Sequence, residues 1–343
     1  MPYFAAKEWN HKRRNRIIKL QLFAGCLILL LFVSIGCRTI MDSGKQDTIA
    51  TSVEFPPPRK SDTRKIFVSL LNRFHPGNRI GYRLFEHKPF VYGAVPEKSG
   101  RATETIAAKA LERQYSTRAG VLVHTIDIAD EGWVPHICTY YIVPVADGFE
   151  LLWVIETKDE GLNEYYVAQQ CFRFSGRTNS RWRRGIALTP AFSEYDLWAK
   201  QEAKGLPRTS LSFVRRNNKW EEIPAVAEHI VCRTSPGLKM DRARSKGDLT
   251  KIAGMEPYAP SRFEPDIDCG LATRSNLDDS WVCALYWQRT THVSNHHPAD
   301  CLHVFVNLGP LPPNSKRAIR GKIYWMKASK DELFERWQKD WPD

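Results

Sequence analysis

Several common signatures are missing from this chain of 343 residues. It has no G-x-S-x-G, no G-x-x-x-x-G-K-[ST], no Rossmann glycine fingerprint and no H-E-x-x-H. Nucleotide-dependent chemistry and the common hydrolase elbows therefore have no motif to stand on. No two of its eight cysteines stand as C-x-x-C, which argues against a zinc ribbon. Helix-forming stretches are few. No basic run in the body is interleaved with aromatics as a single-strand groove requires. The formal charge of +12 falls to +7 once residues 1–37, with six basic residues and one acidic, are set aside. That is a mildly basic surface, and nucleic acid is not an expected partner.

The N-terminus has a definite pattern. "KRRNR" (12–16) is a positive segment, and "LFAGCLILLLFVSIG" (22–36) carries no charge. These fifteen residues are long for a signal-peptide core and short for a membrane span of about 20 residues. "SIGC" then places Cys37 where a bacterial lipobox has its lipidated cysteine, although Ser34 stands where Leu is usual. Lipidation at Cys37, an uncleaved signal-anchor and ordinary cleaved secretion all remain open. Each puts the rest of the chain outside the cytoplasm, in the periplasm or at the cell surface, with the membrane as a partner in the first two. Residues 1–37 are thus read as signal peptide or anchor. Residues 38–64, polar and containing "PPP" (56–58), are read as a tether, and 65–343 as the folded domain. Six cysteines remain after Cys37. In an exported chain they permit up to three disulfides, but several sit in apolar runs where a buried thiol is equally natural.

Strand signals dominate the body. "HICTYYIVPV" (136–145), "ADG" (146–148) and "FELLWVIET" (149–157) form a hairpin pattern. "YYVAQQCFRFSG" (165–176) is expected to continue it. "DCGLATRSN" (268–276), "SWVCALYWQR" (280–289), "CLHVFVNL" (301–308) and "RGKIYWM" (320–326) follow, the last read as an edge-compatible strand. Serial strands without alternating helices predict a mainly β fold, a large antiparallel β-sandwich with a few peripheral helices. The helices are expected at 101–115, at 190–205 with Ser193 as N-cap, and at 329–341. The last carries a capping box of Ser329 and Glu332 and a stripe of Leu333, Trp337 and Trp341 for core docking.

Two stretches, "AQQCFRFSGRTNSRWRRGIALTPAFSEYDLW" (168–198) and 306–337, resemble an uncharacterised family of exported bacterial proteins and lipoproteins. The ending is also similar to the last strands of large sandwiches of the galactose-mutarotase-like kind, found in many carbohydrate-active proteins. The resemblance covers about a third of the chain. It implies a supersandwich-like fold and export, and it brings no catalytic motif with it.

Three constellations are candidates for chemistry. The first is "SNHHPADCLH" (294–303), with His292 just before it. It reads as a metal site, as the wall of an organic-ligand pocket, or as a loop of hydrogen-bonded histidines. No metal ligand and no cofactor is assigned. Strand parity points Cys301 and His303 one way and Leu302 the other, while His296 falls in a loop. The second is the carboxylate pair Glu156 and Glu194. As a glycosidase pair they would need to lie roughly 5–9 Å apart across a cleft. Otherwise Glu194 favours a helix N-terminus and Glu156 pairs with Arg173. The third is a dense aromatic and amide surface. Alternation puts Gln169, Cys171 and Arg173 on one face and Gln170 and Phe172 on the other. Gln169 and Arg173 beside Trp287, Asn295 and His296 would suit a carbohydrate, although buried aromatics are the rule in large sandwiches. The expected function is recognition of a carbohydrate or glycan-like ligand. The alternatives are a hydrolase, lyase or epimerase using Glu156, Glu194 or His303 as acid or base, and a structural envelope lipoprotein without ligand.

Overall fold

In the computed structural model the described residues are 51–54, 67–72, 79–84, 90–96, 102–129, 133–174, 190–226, 229–248, 262–263, 266–296 and 300–342. The expectations for the signal segment and for Cys37 fall outside them. Two β-sheets face each other. The first has nine strands, in the order β1 (Thr51–Glu54), β2 (Phe67–Asn72), β3 (Arg79–Arg83), β8 (Tyr165–Arg173), β16 (Cys301–Asn307), β15 (Thr290–His296), β11 (His229–Arg233) and β12 (Arg262–Phe263). The ninth, β4 (Phe90–Tyr92), also pairs with β8. The second has eight, in the order β10 (Lys219–Glu222), β9 (Ser212–Arg216), β13 (Ala272–Ser275), β14 (Val282–Trp287), β17 (Lys316–Met326), β7 (Gly148–Thr157), β6 (His136–Val145) and β5 (Leu122–Ile128). The strand pairs are antiparallel except β11 with β12. The mainly β, sandwich-type expectation is met. β1 lies inside the segment 38–64 that the sequence reads as a tether.

Strand alternation builds the core. Cys138, Tyr140 and Ile142 of β6 and Leu151, Trp153 and Ile155 of β7 point toward the other sheet. They meet Tyr82 of β3, Phe172 of β8 and Leu302 and Val304 of β16. The indole N–H of Trp287 donates to the Tyr82 hydroxyl at 3.3 Å, and the Tyr140 hydroxyl donates to the Leu84 carbonyl at 3.0 Å, so both bonds cross between the sheets. The opposite face of β6 and β7 is also apolar. Tyr141, Val143, Leu152 and Val154 lie under Tyr115 of helix α1 (Ala102–Ser116). Burial on two faces explains why these strands read as continuous hydrophobic runs. The 136–157 hairpin closes with Val145 paired to Gly148, whose φ is 141°. A Cβ there would lie 2.0 Å from the Ile323 carbonyl oxygen, so only glycine allows β17 to pass this close.

The sequence differs from the structure at three places that matter for the site. β8 does not continue the β6–β7 hairpin but crosses to the other sheet, and the second neighbour of β7 is β17. β17 is not an edge strand, since it lies between β14 and β7. Residues 290–296 are a strand, so His296, expected in a loop, is a strand residue; polar side chains, relieved only by Val293, hid this strand.

The helices decide which outer surface is covered. α1 takes one end of the outer face of the eight-stranded sheet. Helix α4 (Lys330–Asp340) takes the other, with Leu333 buried against Leu271, Val282, Ala284 and Tyr324. Its expected capping box is present. On the nine-stranded sheet, α3 (Ser235–Ser245) puts Met240 against Tyr92, Val167 and Phe305. Beside that patch the outer face carries the polar residues Gln169, Arg173, Ser294, His296 and His303.

Candidate functional site on the outer face of the nine-stranded sheet

The site is assembled by register. On β8, residues 169, 171 and 173 point away from the core, because Ala168 and Phe172 fill it and Gln170 hydrogen-bonds inward to Leu84 and Tyr82. Cys171 stands opposite His303, and Arg173 opposite Cys301. On the other flank of β16, Ser294 stands opposite His303 and His296 opposite Cys301. β11 adds His229 opposite His296. Gln169 lies level with Phe305, which stacks on Phe90 at 5.5 Å between ring centroids.

Four strands thus deliver one polar cluster. Cys171, Cys301, Ser294, His229 and His303 are buried, and Arg173 and His296 are half-buried. Ser294 Oγ lies 2.8 Å from His229 Nε2 and 3.2 Å from His303 Nδ1. That leaves His303 Nε2 facing Cys301 Sγ at 3.1 Å. The rings of His229 and His296 are 5.1 Å apart, and those of His296 and His303 are 5.8 Å apart. Burial alone would raise the Cys301 thiol. The Cys171 thiol, the charge on His303 and bonds with His296 and His303 more than offset it, holding Cys301 well below the ordinary thiol range. A thiolate beside imidazoles is chemically a nucleophile or a soft ligand. The ligating atoms of Cys171, Cys301 and His303 all lie within 4.8 Å of one another. No disulfide joins any of the six described cysteines.

The sequence-predicted site residues divide into three groups. Gln169, Arg173, His296 and His303 share the outer face just described. Glu194 and Asn295 lie inside the sandwich, around Arg274 of β13, which has no exposed surface. Arg274 pairs with Asp300 and, at 3.3 Å, with Glu194. Glu194 accepts bonds from the Ser210 hydroxyl at 2.6 Å, the Leu211 amide at 2.8 Å, the Ser212 hydroxyl at 2.9 Å and the Asn295 amide at 3.2 Å. It opens helix α2 (Glu194–Glu202), whose N-cap Ser193 donates to Asp300 at 2.8 Å. Burial pushes Asp300 up from the ordinary carboxylate range. Arg274 opposes that and Glu194 adds to it. This cluster clamps four chain segments together, and a carboxylate saturated in this way has no lone pair to offer a substrate.

Glu156 and Trp287 form the third group, each away from the outer face. Glu156 is exposed on the second sheet and pairs with Lys316 at 3.0 Å, not with Arg173, which belongs to the other sheet. The proposed carboxylate pair is therefore an exposed residue and a buried one with different partners. Trp287 is 1% exposed and faces the inter-sheet core beside Trp153 and Tyr82, so it stacks on nothing outside. The aromatic rings that do border the polar face are Phe90 and Tyr165, both half-buried.

His229, Ser294 and Cys171 belong to the site, yet the sequence analysis gave no role to His229 or Ser294. Cys171 was visible only by parity with Gln169 and Arg173. The missing signal was the pairing of β8, β16, β15 and β11, which draws on strands between residues 165 and 307.

Among the described residues no helix is long and apolar enough to cross a membrane. No protein-family model and no curated protein sequence matches the chain. Solved structures resemble it, among them the following two. One is the Slr1438 protein from Synechocystis sp. PCC 6803, at 9% identity and a TM-score of 0.30, covering 61% of this chain and 62% of that one. The chain thus spans less than two thirds of that protein. The other is a "Putative aldose 1-epimerase" from Escherichia coli K12, at 8% identity and a TM-score of 0.35, covering 81% of this chain and all of the other.

Proposed function

We propose that this chain is an exported, membrane-tethered β-sandwich protein that binds a carbohydrate or glycan-like ligand on the outer face of its nine-stranded sheet. The supporting observation is that Gln169, Arg173 and His296, expected from the sequence to hydrogen-bond a ligand, share that one face on β8 and β15. A carboxamide, a guanidinium and an imidazole are groups suited to sugar hydroxyls. Half-buried Phe90 and Tyr165 provide apolar ring surface beside them, the combination that small-ligand sites use. The tether reading rests on the charge and hydropathy of residues 1–37. The hydrolase reading has less support, because its carboxylates have separate structural partners.

The test is retention of the purified chain on immobilised bacterial envelope glycans, followed by calorimetry with released oligosaccharides. Arg173→Ala is expected to weaken binding roughly tenfold or more, the loss of one charge-assisted bond. Binding to no glycan, or equal binding by Arg173→Ala, overturns the assignment.

A further inference from the structure

We propose that Cys171, Cys301 and His303 form a binding site for a soft transition-metal ion, zinc or cuprous copper. The inference is independent of the carbohydrate reading. It rests on four features of the structure. The first is ligand chemistry: two sulfurs and an imidazole nitrogen are the donors these ions prefer. The second is distance. The three ligating atoms lie within 4.8 Å of one another, and Cys301 Sγ is 3.1 Å from His303 Nε2. With bonds of about 2.3 Å to sulfur and about 2.0 Å to nitrogen, neighbouring ligands in a tetrahedral site stand roughly 3.5–3.8 Å apart. Changes of up to about 1 Å in these separations would bring the three groups around one ion.

The third feature is the scaffold. Cys301 and His303 are two residues apart on β16 and share a face by strand alternation. Cys171 is directly opposite His303 on β8. The ligands thus come from two paired strands near the middle of a sheet, where the backbone is fixed on both sides. The fourth feature is the second layer of contacts. Metal-bound histidines usually engage their other ring nitrogen, which sets tautomer and orientation. Here His303 Nδ1 meets Ser294 Oγ, which also meets His229 Nε2. His296, opposite Cys301 in register, stands on the remaining side of the set. A bound ion would be held by thiolates, so binding releases protons and strengthens as pH rises.

The test uses the full chain, purified in detergent without chelator. Elemental mass spectrometry is expected to find about one zinc or copper per chain, and the element found identifies the ion. Co2+ added to stripped protein is expected to give the near-ultraviolet band of a thiolate–cobalt bond. Cys171→Ser and His303→Ala are each expected to weaken metal binding roughly 10-fold or more. Cys283→Ser, at a buried thiol of the other sheet, is expected to leave it unchanged. If the site variants fail to fold, X-ray absorption of the metal-loaded unmodified chain decides: sulfur and nitrogen ligands at the ion are expected, and a shell without sulfur overturns the site. Absence of metal and of the cobalt band, a Cys171–Cys301 disulfide in the isolated chain, or full metal retention by folded His303→Ala would each overturn the proposal.

Discussion

Ser294 and His303 face each other across the β15–β16 pair, with hydroxyl oxygen and Nδ1 3.2 Å apart and both residues buried. The same hydroxyl meets Nε2 of His229 at 2.8 Å. One serine therefore links two imidazoles from strands far apart in sequence. Ser294→Ala is expected to cost about 1–3 kcal/mol, the range for taking a buried hydrogen-bond partner away. It should also change the imidazole nitrogen signals of both histidines in NMR spectra. A variant with unchanged unfolding midpoint and unchanged signals would show that the hydroxyl joins nothing.

Arg274 is ion-paired with both Glu194 and Asp300. Arg274→Met takes that guanidinium away from two buried carboxylates and should cost about 3–5 kcal/mol in urea unfolding. Asp300 titrates above its unfolded value because it is buried. The folded state therefore holds its proton where the unfolded chain has released it. Stability from this group is fully present below about pH 4 and falls as pH rises through the raised pKa. Asp300→Asn should remove that component of the slope. An unaltered pH profile in Asp300→Asn counts against this account.

His136 behaves in the opposite sense. It is buried and neutral, and its Nδ1 lies 2.7 Å from the Val134 carbonyl. Burial is the main cause that lowers its pKa from 6.5 to about 4, against the partial opposition of that bond. Between these values the unfolded chain binds a proton that the folded chain does not. The stability is complete above pH 6.5 and is lost as pH falls toward 4, by an amount on the order of 3 kcal/mol. His136→Leu should flatten the unfolding profile over that window. Equal acid sensitivity in the variant would refute the assignment.

Trp287 tests where the ligand face is. It fills the space between the sheets, so Trp287→Ala should cost about 3–5 kcal/mol by opening a cavity. Any folded fraction should keep glycan affinity, because the residue does not reach the outer face. Selective loss of binding at full stability would place the ligand on the other side of the sheet from the one argued here.

Much of this fold is legible in the sequence because local chemistry agrees with it. The 136–157 hairpin, the Ser193 and Ser329 caps and the parity of Gln169, Cys171 and Arg173 all follow from residues near one another. Partnership between strands is not local. Nothing in "YYVAQQCFR" says that it leaves β7 for β16. Nothing in "TTHVSNH" distinguishes a polar strand under a partner from a loop. Trp287 and Arg173 appear compatible in sequence because each is a good binding residue by type, and only the strand order puts them on opposite sides of a sheet. Glu194 has a catalytic residue's chemistry, but its saturation by Ser210, Leu211, Ser212 and Asn295 is a property of the packed state.

The order of the strands also constrains synthesis. β16 joins β8 to β15, and β17 joins β7 to β14. The two strands that hold the halves of both sheets together are the last two in the chain. A ribosome that has finished β14 has made most of each sheet but neither of the strands that join the halves. The nascent chain must wait with exposed strand edges until residues beyond 300 emerge. A stop codon shortly before β16 would therefore leave two split sheets, and its product should go to aggregation or proteolysis rather than persist as a smaller domain.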